Sequence, residues 1–175
     1  MPRFFNTFFT PRPWLKRLLL GVGILVTGTL LGFWQRNQPV PAPLATFTTI
    51  TGDTFSLTDL RGKPVLITFW ATDCASCVKE IPHLISLYDR YHAQGLEIIA
   101  VAMYYDLPSH VVEMSRDKQI PYQVVLDLKA QHARAFGQVQ LTPTTFLISP
   151  NGQLVSKTIG AVTLTELQNQ IEHYF

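Results

Sequence analysis

The chain has 175 residues, of which 47% are hydrophobic and 15% are charged. This length fits one ordinary domain with an extension, and the hydrophobic content excludes a wholly disordered chain. Two cysteines exclude a disulfide-dense scaffold and a four-cysteine zinc site. Residues 1–46 carry five basic residues and no acidic residue, whereas residues 47–175 carry nine basic and 12 acidic residues. The larger part therefore has no basic excess, and we expect no nucleic-acid partner.

An apolar run near the start of the sequence predicts a transmembrane helix. Residues 18–34 contain no charge, and Trp14 and Trp34 stand at the two edges, where indole rings favour the headgroup region. Basic residues precede the run and only Arg36 follows it closely, so residues 1–17 should form a cytoplasmic tail. Because no small-residue cleavage site follows soon after, we expect an uncleaved anchor in the lipid bilayer rather than a signal peptide.

Two further regions follow the anchor. Residues 35–46 contain three prolines and few other structural signals, which predicts an extended, proline-rich linker. Residues 47–175 form one domain, long enough to bury a core of its own. Its histidines have no spacing typical of metal ligands, so we expect most of them at the surface and no metal site.

The hydrophobic pattern of this domain alternates between strand and helix spacing. In chain order it predicts a hairpin over 47–57, a strand over 65–70, a helix from the cysteine pair to 93, a strand over 96–103, a helix over 111–118 with Ser109 as its N-cap, a strand over 122–126, a helix over 130–136, strands over 144–148 and 154–159, and a helix from the capping box Thr163–Glu166 to 174. This order predicts an α/β fold with a mixed central sheet and helices on both faces.

Cys74 and Cys77 lie three residues apart, after a predicted buried strand and at the start of the long helix. This spacing allows a short disulfide, and the helix N-terminus stabilises the first thiolate, which is the chemistry of thiol–disulfide exchange. A purely stabilising disulfide and half of a metal site are the alternatives. A stabilising bridge usually closes a longer loop, and no further cysteines complete a metal site, so the pattern favours the redox function.

Thr142-Pro143 directly precedes a predicted strand. Such a pair is often only a turn, and cis peptide bonds are a small minority of bonds before proline. In this fold the loop should lie against the start of the cysteine helix. A cis proline there would present the backbone of Thr142 to a bound peptide, so we predict a cis bond and a role in substrate binding.

Taken together, the motifs resemble a known family. Residues 70–77 (WATDCASC), residues 80–82 (EIP) and residues 141–148 (LTPTTFLI) are similar to the membrane-anchored thioredoxin-like reductases of bacterial envelopes, the TlpA/ResA type. The resemblance covers residues 47–175. It implies a thioredoxin-like fold, a domain in the periplasm held at the inner membrane, and thiol–disulfide exchange. Cys74 would attack, Cys77 would resolve the mixed disulfide, and the substrate would contact Trp70, Thr142 and Pro143.

The resemblance also implies partners. The substrates would be disulfide-containing envelope proteins, such as apocytochrome c or metal-centre assembly factors, and a membrane thiol reductase of the DsbD/CcdA type would supply electrons. No cofactor is expected. A disulfide oxidase or isomerase would use the same residues at a different redox potential. A copper-handling oxidase-assembly module is a second alternative, although its relatives typically space their cysteines further apart and keep a dedicated histidine.

The chain departs from the family pattern at two positions. Asp73 replaces the usual aromatic residue before the first cysteine, where its charge should oppose formation of the Cys74 thiolate; alternatively, it caps the helix. Thr68 stands where ordinary thioredoxins carry a buried acid. Glu80, one turn after Cys77, is the substitute candidate and could exchange a proton with it. The alternative for Glu80 is an acid that interacts with the helix dipole.

Overall fold

The computed structural model describes four parts of the chain: residues 21–22, 25–29, 32 and 40–175. The chain divides into two compact units, Met1–Gln38 and Pro39–Phe175, and the described residues of the first unit are helical. Among the described residues, no helix has the length and apolar character needed to cross a bilayer. The predicted tail and most of the predicted anchor lie outside the described residues, so the transmembrane helix stays a prediction.

The second unit contains seven strands: β1 (Thr46–Thr48), β2 (Thr54–Ser56), β3 (Val65–Trp70), β4 (Glu97–Ala102), β5 (Gln123–Leu126), β6 (Thr144–Ile148) and β7 (Leu154–Ile159). Five of them form one sheet with the strand order β5-β4-β3-β6-β7. Its central strand β3 pairs in parallel with β4 and antiparallel with β6, so the sheet is mixed, as predicted. The other two strands, β1 and β2, form a separate antiparallel hairpin.

Four helices of the second unit cover the two faces of this sheet, as predicted: α1 (Ala75–Tyr91), α2 (Pro108–Asp117), α3 (Gln131–Ala135) and α4 (Leu164–Ile171). Helices α1, α2 and α4 pack on one face, whereas α3 packs with the β1–β2 hairpin on the other. Helix α2 begins at Pro108 with Leu107 as its N-cap, so the prediction of Ser109 as the N-cap was wrong. Proline suits a first helical position because the N–H at that position needs no partner within the helix.

Side chains of the central strand β3 alternate between the two cores of the domain. Every residue of this strand is buried. Leu66 and Trp70 pack into the core beneath α1, whereas Ile67 and Phe69 pack into the core on the opposite face. Because side chains alternate along a strand, Thr68 shares the face of Trp70 and therefore lies under α1.

Residues 40–46, the described part of the predicted linker, are attached to the domain. The N–H of Leu154 donates to the carbonyl of Val40 over 2.8 Å, and the N–H of Ala42 donates to the carbonyl of Gly152 over 3.0 Å. Ala45 is buried in the core. Prolines between these residues suggested a free spacer, but they lie at a sheet edge, where a missing N–H is tolerated.

This attachment predicts a stability difference between two fragments. A fragment that begins at Val40 should be more stable than one that begins at Phe47, by about 2–4 kcal/mol, because the shorter fragment loses at least three backbone hydrogen bonds and the packing of Ala45. Urea unfolding of the two purified fragments measures the difference. Equal unfolding midpoints would mean that residues 40–46 add nothing to the domain.

Four of the five histidines are exposed, as predicted for most of them, and His132 is the exception. Its side chain is 4% exposed and stacks on Phe47, with 4.7 Å between ring centroids. Burial lowers its pKa, and the Asp127 carboxylate partly offsets that effect. Asp127, also buried, accepts the backbone N–H groups of His132 and Ala133 at the start of α3, so this pair has a structural role.

Candidate active site

The two cysteines lie where strand β3 passes into helix α1. The N–H of Cys74 donates to the carbonyl of Ala71 over 3.2 Å, which turns the chain out of the strand. Cys74 is then the N-cap of α1, and its Sγ accepts the N–H of Cys77 over 3.2 Å. Cys74 and Cys77 are joined in a disulfide, with 5.2 Å between their Cα atoms. The first sulfur therefore lies among the free N–H groups of a helix N-terminus, which stabilise a thiolate once the pair is reduced.

The two sulfurs differ in their access to solvent. Cys74 is partly exposed, whereas Cys77 is 3% exposed and belongs to the core beneath α1. A disulfide in another protein can therefore approach Cys74 but not Cys77. This difference agrees with Cys74 as the attacking thiol and Cys77 as the resolving thiol.

A groove of about 900 Å³ opens beside Cys74. The loop before β6 contributes Thr142 to its wall, opposite residues from the start of α1. The Thr142–Pro143 peptide bond is cis, as predicted. Pro143 is buried and does not line the groove, contrary to the prediction of substrate contact, and its carbonyl accepts the N–H of Gly160 over 2.8 Å. Thr142 can therefore contact a bound segment directly, while the Pro143 carbonyl ties the loop to Gly160.

Glu80 lies between this groove and the interior. Its side chain is 5% exposed, and it lines both the groove and a small inner cavity. One carboxylate oxygen accepts the backbone N–H of Val162. Burial raises the pKa of Glu80; the Val162 N–H and the charge of His83 oppose this in part. Glu80 lies beyond the first turn of α1, so the interpretation of Glu80 as a helix-dipole acid was wrong, and its position suits proton exchange with Cys77.

Trp70 does not contact the groove, contrary to the prediction of substrate contact. It is 3% exposed because its position on β3 turns it under α1. It lines the inner cavity, which has a volume of about 10 Å³, together with Thr68, Cys77 and Glu80. Thr68 accepts the hydroxyl of Thr145 over 3.2 Å. Thr68, at the position where ordinary thioredoxins carry a buried acid, and Glu80 therefore line the same cavity. This arrangement is expected if Glu80 is the substitute for that acid.

Asp73 is exposed beside the attacking sulfur. The cap of α1 is the Cys74 sulfur, so the alternative that Asp73 caps this helix was wrong. Within residues 40–175, no hydrogen bond or ion pair of its carboxylate is found. Asp73 borders both the groove at Cys74 and a second groove of about 500 Å³, formed with α2. Its charge is therefore free to act on the Cys74 thiolate.

Removal of this charge should ease ionisation of Cys74. Asp73→Asn should lower the Cys74 pKa by roughly 0.5, because a like charge a few ångströms from a thiolate opposes its formation through solvent. The ultraviolet absorbance of the thiolate, followed against pH, measures the change. Asp89→Asn is the matched control, since Asp89 is an exposed acid about four turns further along α1. A Cys74 pKa equal to or above that of the wild type in Asp73→Asn would contradict the prediction.

Asp106 is a site residue that the sequence analysis missed. Its two carboxylate oxygens accept the N–H of Thr72 over 2.6 Å and the hydroxyl of Thr72 over 2.7 Å. The carboxylate thus holds the loop that carries the cysteines against the loop after β4. A signal was available, because the carboxyl ends of neighbouring parallel strands meet at one edge of a sheet, and Asp106 follows β4 as Thr72 follows β3.

In the described part of the chain, no group of three or more histidine, cysteine, aspartate or glutamate side chains is arranged to hold a metal ion.

Comparisons with known proteins show the family of this chain. Residues 39–157 match the AhpC/TSA family. The thiol-disulfide oxidoreductase ResA of Bacillus subtilis (strain 168) is 35% identical over 159 residues, which cover 85% of this chain and 88% of the relative. ResA of Geobacillus thermodenitrificans (strain NG80-2) is 35% identical over 132 residues, which cover 75% of this chain and 74% of the relative.

Solved structures give the same assignment. The crystal structure of a thiol:disulfide interchange protein of the thioredoxin family from Chlorobium tepidum TLS superposes with a TM-score of 0.73 at 25% identity. The superposition covers 78% of this chain and 97% of that chain, so the predicted thioredoxin-like fold is confirmed. The chain belongs to the AhpC/TSA family, and it is a thiol–disulfide oxidoreductase of the ResA type with a Cys74–Cys77 pair.

Proposed function

We propose that this protein is a membrane-anchored reductase of protein disulfides in the bacterial periplasm. The observation that carries the proposal is the asymmetry of the pair: the Cys74 sulfur is accessible at a helix N-terminus, whereas Cys77 is buried beside the Glu80 carboxyl. The charge-free run over residues 18–34 supports the anchor, and the names of the ResA relatives support the class of reaction.

The reaction has two exchange steps. The Cys74 thiolate attacks one sulfur of a substrate disulfide, a mixed disulfide forms, and the other substrate sulfur leaves as a thiolate. Cys77 then loses its proton and attacks Cys74. The Cys74–Cys77 disulfide forms, the mixed disulfide breaks, and the second substrate sulfur leaves. The substrate gains two electrons, and the pair loses two.

Glu80 serves the second step. Cys77 is buried, and once the pair is reduced its thiol must be deprotonated before it attacks. The Glu80 carboxylate is nearby, and its raised pKa makes it a better proton acceptor than an ordinary surface acid. Because Glu80 also borders the groove, it can later return the proton on the side where the substrate thiolate leaves.

The groove suggests the form of the substrate. An extended segment can lie across Cys74 and contact Thr142, as strand-like peptides do in other recognition sites. Such a segment belongs to an unfolded or loosely folded envelope protein, and apocytochrome c and metal-centre assembly factors are candidates. Electrons would return through a membrane thiol reductase of the DsbD/CcdA type.

Asp73 supports a reducing rather than an oxidising function. Its charge disfavours the thiolate of the reduced pair. A reduced form that is stabilised less is a stronger reductant, because the reduction potential reports the relative stability of the two forms. A disulfide oxidase would instead need a neighbouring group that stabilises the thiolate of the reduced pair.

A reductase assay tests the chemistry directly. The reduced full chain is mixed with an unfolded protein that contains one disulfide, and free thiols are counted on both proteins. We expect two substrate thiols to appear for each Cys74–Cys77 disulfide formed. If no substrate thiols appear while the reverse mixture gains disulfides, the protein is an oxidase.

Fractionation of cells tests the anchor. The full-length protein should sediment with membranes and resist washing with salt and alkali, because an apolar span holds it rather than surface charge. Recovery of mature protein in the soluble periplasmic fraction, trimmed after residue 34, would exclude an uncleaved anchor.

A further inference from the structure

The inner cavity beneath the cysteine pair contains an unpartnered hydrogen-bond donor. The indole Nε1–H of Trp70 is buried and has no hydrogen-bond acceptor among the described residues. A buried donor without a partner loses its hydrogen bond to water and gains none in return, so nearly all such groups are paired in folded proteins. Trp70 lines the cavity, and therefore the space beside its ring is where a partner can bind.

The cavity has the size and polarity of a site for one water molecule. Its volume of about 10 Å³ is close to the smallest that holds a water molecule. A buried water molecule also needs two to four polar partners. Four of the lining residues carry a polar group, namely Thr68, Trp70, Glu80 and Tyr122, whereas the others are Cys77 and apolar residues.

We propose that one water molecule binds in this cavity between Trp70 Nε1–H and the Glu80 carboxyl, and that it relays the proton between Cys77 and Glu80. Trp70 is then a positioning residue that acts through this water molecule. The inference rests on the proposed function in one respect, since the relay serves the resolving step. The binding site itself does not depend on the identity of the substrate.

Each proton and each electron pair in the relay has a donor and an acceptor. Cys77 gives its proton to the water molecule as the water molecule gives another proton to the Glu80 carboxylate. The Cys77 sulfur forms its bond to Cys74, and the substrate sulfur leaves with the electron pair of the broken bond. Glu80, now neutral, lines the groove as well and releases its proton there. No oxidant or reductant is needed beyond the substrate disulfide.

The groups around Glu80 are consistent with this path. Cys77 and His83 lie near it on α1, Lys79 lies with it on the groove wall, and Val162 donates its N–H from the loop before α4. From the sheet side, Tyr122 lines the cavity. Burial, followed by the charge of Glu80, raises the pKa of Tyr122, so its hydroxyl stays neutral and adds no competing charge.

A direct test is an NMR measurement of water contact in the full chain. We expect a cross-peak between the Trp70 indole N–H proton and a long-lived water molecule. Absence of this cross-peak in a folded sample, with the indole signal assigned, would overturn the proposal. This measurement needs no substrate, so its outcome is separate from that of the reductase assay.

A kinetic test uses Trp70→Phe, which removes the donor and keeps an apolar ring. The reduced chain reacts with an aromatic disulfide whose leaving thiolate is coloured, so attack by Cys74 and resolution by Cys77 appear as two phases. The second phase should slow roughly tenfold, because part of the acid–base contribution is lost. Its pH midpoint should rise, because the Glu80 carboxylate loses a solvating neighbour. The first phase should be unchanged.

Phe69→Leu is the matched control, since Phe69 neighbours Trp70 on β3 but packs on the opposite face, away from the cavity. It should lower stability without a selective effect on the second phase. Equal slowing of the second phase in the two variants, or a Trp70→Phe profile with an unmoved pH midpoint, would overturn the relay. If Trp70→Phe does not fold, the water cross-peak in the unmodified chain still decides the proposal.

Discussion

Cys74→Ser should abolish disulfide reduction, with a loss of roughly a thousandfold or more, because the variant has no accessible nucleophile. Cys77→Ser should also stop turnover, but at a later point. Its Cys74 thiolate still attacks, and the mixed disulfide then persists because no second thiol resolves it. A covalent adduct between the chain and its substrate, visible on a non-reducing gel and lost on reduction, is the expected result.

Each of the two cysteine variants is the control for the other. Both lack one sulfur and cannot form the internal disulfide, so any effect of disulfide loss on stability is shared by the two. They differ in which sulfur remains, the partly exposed one or the buried one. If Cys74→Ser accumulates the adduct and Cys77→Ser does not, the order of attack is the reverse of the one derived from burial.

Glu80→Gln should slow the resolving step by about a hundredfold, because glutamine cannot accept the Cys77 proton. The same substitution should make the oxidised protein more stable at neutral pH. Burial raises the pKa of Glu80, so the folded chain binds a proton more readily than the unfolded chain does. Below pH 4.5, the ordinary pKa of a glutamate, the wild type and the variant should therefore have equal free energies of unfolding. As the pH rises through the folded pKa of Glu80, the wild type becomes less stable than the variant.

Glu166→Gln is the matched control, because its effect on the free energy of unfolding should depend on pH in the opposite direction. Hydrogen bonds from Thr163 lower the pKa of Glu166, so the ionised acid stabilises the capping box at neutral pH and this contribution disappears on acidification. Urea unfolding between about pH 4 and pH 8 compares the three proteins. Equal resolution rates in wild type and Glu80→Gln would exclude Glu80 from the proton path.

Local patterns in the sequence were sufficient to predict much of the fold. Strand β3 has the predicted bounds because its β-branched and aromatic run is buried on both faces. The box Thr163–Glu166 and the cis bond at Thr142–Pro143 also agree with prediction. The spacing of Cys74 and Cys77 was informative for the same reason, since a local helix start is enough to bring them together.

The features that local sequence patterns did not predict depend on contacts between residues that are far apart in the chain. The burial of Trp70 depends on which face of β3 turns toward α1, and a strand that is buried on both faces carries no regular polar alternation to indicate this. The contact of Asp106 with Thr72 spans 34 residues. The attachment of residues 40–46 depends on the β6–β7 turn more than 100 residues later, and their prolines pointed toward a spacer instead.

The reduction potential of the Cys74–Cys77 pair in the full chain tests the central claim most directly. Equilibration of the protein with a thiol–disulfide buffer of known potential, followed by alkylation and mass analysis, measures it. A reductase adjusted by Asp73 should have a potential near that of thioredoxin, about −270 mV. A value near −120 mV, typical of a strong disulfide oxidant, would contradict the proposed direction of electron flow.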